Sequence, residues 1–277
     1  CTASGATNTS GTIIMTGITS YYVGTTNIVD LQVEDEGVAA NDIATDTTVD
    51  LTNVTAADAA ATVTLGTNSV VGTAGDTSIN FTLTRALVSG DTVQFTLPAN
   101  FDVTGLDTTD AAQSFGGAGT FDCTATQLMV CTADGAVNAG TGTITLTGIL
   151  TKYTATGQTL TDFEVEDQGV AANDIATDTS VAIDDVTAFN ANATVVLASP
   201  TVGAAGNTTL TLTVPFALDA DDTIDIVFPA YINVSGIAAA VTGTFESADI
   251  TCAAVGQTVT CTASGATNTS GTIIMTG

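Results

Sequence analysis

The chain contains no histidine and no tryptophan, and Arg85 and Lys152 are its only basic residues. Each shortage closes a class of function. Without histidine neither a Ser/His/Asp nor a Cys/His set can be assembled, and the commonest transition-metal ligand is missing. Two cations cannot displace the counterions along a nucleic acid, so no nucleic-acid partner is expected. The formal net charge of −27 would likewise be repelled by an anionic membrane surface. No run of eighteen apolar residues occurs, so this segment is expected to make no membrane insertion. No glycine-rich phosphate loop joins a strand to a helix. The carboxylates are scattered through turns and are not set in pairs for glycoside chemistry. The chain reads as no enzyme.

Repetition is abundant. "CTASGATNTSGTIIMTG" occupies residues 1–17 and returns unchanged at 261–277. A second period is nested inside this one. "VEDEGVAANDIATDT" at 33–47 returns as "VEDQGVAANDIATDT" at 165–179, with Glu36 replaced by Gln168. "GDTVQFTLPANFDVTG" (90–105) aligns with "DDTIDIVFPAYINVSG" (221–236), and "VGTAGDTSINFTLT" (71–84) with "VGAAGNTTLTLTV" (202–214). The chain therefore carries two divergent copies of one unit of about 130 residues. It is expected to be a window on a longer array. Residues 1–55 would be the C-terminal part of one repeat, 56–187 a complete repeat, and 188–277 the N-terminal part of the next.

Within each unit apolar residues alternate with Thr, Asn or Asp, as in "ATVTLG", "TSINFTLT", "DTVQFTL", "GTITLTG", "TLTDFEVE" and "TSVAIDDVTA". That period of two marks half-buried strands, and Gly, Asn, Asp and Ser punctuate them at turn spacing. "GVAANDIA" has room for one helical turn. The fold class expected is all-β, as tandem antiparallel β-sandwich domains. Five cysteines are present, and Cys123/Cys131 and Cys252/Cys261 each flank a short connection between strand-patterned runs. If opposed in register, each pair is placed to form a disulfide across a hairpin; two pairs of free buried thiols are the other reading. Cys1, the copy of Cys261, is then left over. Paired cysteines point to an oxidising place outside the cytoplasm.

Strands such as "GDTVQFTLPANF" in a tandem, acidic, Thr-rich setting resemble the immunoglobulin-like repeats of prokaryotic surface, extracellular filament and adhesin proteins. The resemblance implies a mechanical or adhesive role, with Ca²⁺ in loops or between domains, and brings no catalytic residues. The function expected is a stretch of extracellular or cell-surface filament or stalk whose partner is another copy of itself. The alternative is a spacer of a large adhesin whose binding head lies elsewhere.

The repeated acidic stretch is the place to look for an ion. One copy offers Glu34, Asp35, Glu36, Asn41, Asp42 and Asp46, and the other Glu166, Asp167, Asn173, Asp174 and Asp178. Hard oxygens clustered in a loop suit Ca²⁺, though no cofactor is required by this reading and the spacing is not that of an EF-hand. A solvated acidic loop and a contact with a neighbouring domain are the competing explanations. Glycosylation triplets stand at Asn8, Asn53, Asn80, Asn192, Asn207, Asn233 and Asn268, although Thr-rich sequences generate such triplets freely.

Overall fold

β-Branched residues at alternate positions leave the backbone little choice but to pleat. In the computed structural model, which describes residues 12–24, 28, 31–34, 42–51, 53–109, 111–237, 242–245 and 250–276, they make 21 strands and two short 3₁₀ turns. The described residues divide into two units. The first holds residues up to Gly66, Gly75–Ile149 and Thr156–Asp185. The second holds Thr67–Ala74, Leu150–Ala155 and the residues from Val186 onward.

The first unit opens with a two-stranded hairpin, β1 (Leu31–Glu34) against β2 (Asp42–Asp46). Its remaining strands are β3 (Ala57–Asp58), β4 (Thr62–Leu65), β5 (Ala74–Leu83), β6 (Thr92–Thr96), β7 (Phe101–Asp102), β8 (Ala112–Gln113) and β9 (Phe121–Cys123). After these come β10 (Leu128–Ala133), β11 (Gly140–Thr151), β12 (Thr159–Glu166), β13 (Asp174–Asp178) and β14 (Val181–Ala182). One sheet runs β3-β13-β12-β6-β10-β9 with β14 beside β12; the other runs β4-β5-β11-β7 with β8 beside β11. β13 and β3 pair in parallel, whereas β12 runs antiparallel to β6, β13 and β14.

The two sheets share one core. Along β5, Thr77, Ile79, Phe81 and Leu83 are buried while the residues between them are only half so. Phe81 meets Phe163 of the opposite sheet edge to face at 5.4 Å, and Phe95 of β6 stacks on Phe163 at 6.2 Å. Burying each such ring contributes about 2–3 kcal/mol. Two antiparallel layers closing on an aromatic core are consistent with a β-sandwich.

The second unit contains β15 (Thr194–Leu197), β16 (Thr208–Thr213), β17 (Thr223–Val227), β18 (Thr242–Gly243), β19 (Ile250–Val255), β20 (Thr258–Ala263) and β21 (Ser270–Met275). Its sheets run β15-β16-β21-β18 and β17-β20-β19. Leu210, Leu212, Phe228, Phe245, Val259 and Ile273 are among the buried residues of its core.

Two local expectations are corrected. The helical turn near "GVAANDIA" lies at Asp167–Gly169 and shares only Gly169 with it. "TSVAIDDVTA" supplies the short β14 and isolated bridges from Ile183 to Val63, from Val186 to Ala155 and from Thr187 to Val70. Between those bridges Asp184 and Asp185 turn their carboxylates to the backbone N–H groups of Leu65 and Gly157. Side chains that cap backbone donors in this way interrupt a ladder.

Candidate functional site

The second copy of the acidic stretch folds as the β12–β13 hairpin. Phe163 pairs with Asp178, Glu164 with Thr177, Val165 with Ala176 and Glu166 with Asp174, with a register shift between Val165 and Glu166. The shift leaves Ile175 without a partner across the ladder, and Ile175 and Ala176 are both buried in succession. Such bulges re-aim side chains. Gln168 and Gly169 follow with left-handed backbones, at φ of 54° and 62°. Gln168 holds that conformation by donating its N–H to Asp91 Oδ1 at 3.0 Å and its side-chain amide to the Ser89 carbonyl.

Three carboxylates converge here. One oxygen from each of Glu164, Glu166 and Asp174 lies within 4.8 Å of the other two. Glu166 is 3 % exposed. Its Oε2 accepts a hydrogen bond from Thr92 Oγ1 at 3.1 Å, and among the described residues its Oε1 has no hydrogen-bond partner. Asp174 Oδ1 is buried and equally without a partner. Burial raises the pKa of Glu164 above its ordinary 4.5, and the charges of Asp174, Glu166 and Asp162 add to the effect. Each cause disfavours the charged form.

Arg85 is spent elsewhere. Its guanidinium pairs with Asp91 at 3.2 Å and with Asp167, and its Nε donates to the Tyr21 carbonyl. Asp167 is thereby drawn away from the three carboxylates. Asp178 accepts from the N–H groups of Ala61 and Ser180, and Asp46, its counterpart, accepts from Thr48. Asn173 is held through its backbone, which closes the turn with Asp167 and Val170. Of the residues expected to ligate an ion, Glu166 and Asp174 meet. Asp35, Glu36, Asn41 and Asn8 lie outside the described residues, as do the side chains of Glu34 and Asp42.

Glu164 was not among the expected ligands. It lies outside the shared fifteen residues, where Gln32 is its counterpart. Its signal was nonetheless available: residues two apart on a strand face the same way, so Glu164 belongs with Glu166.

Both hairpin disulfides are present. Cys123 opposes Cys131 and Cys252 opposes Cys261 in register, with Cα atoms 4.0 and 3.9 Å apart. Among the glycosylation triplets, Asn53, Asn192, Asn207, Asn233 and Asn268 are exposed. Asn80 is half-buried in β5 and donates its amide to Thr143 Oγ1 at 3.3 Å, while Asn268 donates to the Thr244 carbonyl. No helix among the described residues is long and apolar enough to cross a membrane. Compared with known protein families and with curated proteins, the chain matches none.

Proposed function

We propose that this chain is a structural segment of an extracellular filament or stalk in which neighbouring blocks complete one another's sheets. One observation carries the reading: the second unit has an open sheet edge for which the chain also holds the matching hairpin. In the first unit β6 is flanked by β10 on one side and β12 on the other. Among the described residues its counterpart β17 pairs with β20 alone, and Val227 at its end is exposed. An open edge of this kind is a template for another strand.

The strand that covers β6 belongs to the β12–β13 hairpin, and β1–β2 repeats that hairpin. Leu31 pairs with Asp46, Gln32 with Thr45, Val33 with Ala44 and Glu34 with Asp42, with the shift at Val33/Glu34. That register, bulge included, is the one found between Phe163–Glu166 and Asp174–Asp178. In the first unit Glu164, Val165 and Glu166 oppose Gln94, Val93 and Thr92. Transferring this pairing sets Gln32, Val33 and Glu34 opposite Asp225, Ile224 and Thr223.

The same interface serves a continuous array or separate copies joined end to end. Disulfides on the hairpins would resist local unravelling in an oxidising exterior. A strong uniform negative charge keeps neighbouring filaments soluble and apart. A spacer within a large adhesin uses the same architecture and differs in carrying a head of other composition.

Cysteines introduced at Gln32 and Asp225, in a Cys1→Ser background, test the junction. Oxidation is expected to give a ladder of linked chains, whereas Gln32→Cys with Val227→Cys gives none. Equal linking by both pairs, or by neither, overturns the reading. Intact mass under denaturing, reducing conditions then separates a covalent array, far above 27.4 kDa, from joined copies.

A further inference from the structure

We infer that Glu164, Glu166 and Asp174 form a Ca²⁺ site at the bulge of the β12–β13 hairpin. The argument is independent of filament assembly. Its first part is distance. Oxygens bound to one Ca²⁺ at about 2.3–2.6 Å stand no more than roughly 5 Å apart, whereas an Mg²⁺ octahedron at about 2.0–2.1 Å holds them within roughly 4.2 Å. The three carboxylates present oxygens all within 4.8 Å of one another. Oxygens that close can all reach one Ca²⁺, and three carboxylates set on a bulged hairpin suit the irregular geometry that this ion accepts.

The second part is the buried carboxylate itself. Glu166 is 3 % exposed, with Thr92 satisfying Oε2 and nothing among the described residues satisfying Oε1. A buried carboxylate oxygen without a partner is strongly unfavourable unless a proton, a donor or a cation meets it. Asp174 Oδ1, directly across the ladder, has the same deficit. Among the described residues no ion pair to these three carboxylates is formed, and Arg85 is engaged by Asp91 and Asp167. A divalent cation supplies the missing counter-charge to both orphaned oxygens at once. Bulge and ladder register make the arrangement: Glu164 and Glu166 share a strand face, and the shift at Val165/Glu166 brings Asp174 opposite Glu166.

The counterpart positions in the first copy are Gln32, Glu34 and Asp42. A neutral amide there in place of Glu164 makes the β1–β2 copy the weaker binder, since Ca²⁺ affinity follows the number of charged ligands.

The test is calorimetric titration of the EDTA-treated full chain with CaCl₂ at fixed ionic strength. One tight, saturable site is expected. Glu166→Gln and Asp174→Asn should each weaken it by on the order of tenfold or more. Asp221→Asn, which removes one exposed charge elsewhere, should leave it within about twofold. In EDTA, Glu166→Gln is expected to melt at a higher temperature than the unaltered chain, because a buried repulsive charge is gone. Ca²⁺ should raise the melting temperature of the unaltered chain and not that of this variant. Heat that does not saturate, or equal loss in Asp221→Asn, would mean diffuse counterion binding and overturns the site. Stabilisation by acid with no response to Ca²⁺ would mean a shared proton and also overturns it. Mg²⁺ binding as tightly overturns the choice of ion.

Discussion

β6 and β17 are the same strand in two settings. Thr92–Thr96 and Thr223–Val227 align along their whole length, yet Val93 and Phe95 are fully buried while Ile224 and Ile226 are only half-buried. What differs is cover. β6 lies inside its sheet, between β12 and β10; β17 is an edge. The same contrast recurs nearby. Asp91 is fully buried and receives Arg85, whereas its counterpart Asp222 is exposed and Phe216 stands where Arg85 would be. Both carboxylates keep the same local cap, accepting from Val88 N–H in one unit and Asp219 N–H in the other. Local chemistry survives divergence because it needs only the neighbouring residues. Burial does not survive, because it needs the rest of the sheet.

The sharpest way to break this comparison is to truncate matching core residues. Phe95→Ala should cost about 4 kcal/mol in urea unfolding. Ile226→Ala, half-exposed already, should cost about 1 kcal/mol. Equal losses would show that β17 is covered in solution.

Next in size is the buried carboxylate. Arg85→Met leaves Asp91 without its cation and should destabilise the chain by about 3 kcal/mol. Adding Asp91→Asn to that variant should recover part of the loss. Asp222→Asn alone should move stability by less than about 0.5 kcal/mol.

The disulfides predict likeness, not difference. Their sequence separations are 8 and 9, so replacing either pair by serine should cost about 2.5 kcal/mol on loop-entropy grounds. Denaturant midpoints of the two double variants would check that they agree.

The smallest effect is in pH. In chelator, Glu164 has its folded pKa raised above 4.5, so the folded chain holds this proton more tightly than the unfolded chain. Stability from this group therefore rises as pH falls from neutral through the folded pKa and is lost as pH climbs. The melting temperature of Glu164→Gln, followed against pH beside the unaltered chain, should lack that component.

Much of the fold is legible in the sequence. Alternation in "TSINFTLT" and "DTVQFTL" marked β5 and β6, and the spacing of Cys123 and Cys131 suited facing hairpin strands. The candidate site was legible only in part. The repeated acidic stretch pointed to Glu166 and Asp174, yet it also pointed to Asp167 and Asp178, which go to Arg85 and to backbone N–H groups. Spacing along a loop cannot say which of several carboxylates a distant arginine or an adjacent strand will claim. Glu164 escaped because it lies one residue outside the repeated string, and strand-face alternation was the signal that would have recovered it.

The sequence by itself determined the period of two, the repeat, the short spacing within each cysteine pair and the near absence of cations, since each depends on neighbours along the chain or on composition alone. Tertiary structure decided what each strand touches. "TIIMTG" shows the division most plainly. At 272–277 it puts Ile273 and Met275 at 0 and 1 % exposure between β16 and β18, and at 12–17 it leaves Ile13 and Met15 at 72 and 60 %. Identical letters carry identical propensity, but the free energy of burying an isoleucine comes from what lies against it, and that is supplied by strands remote in the chain.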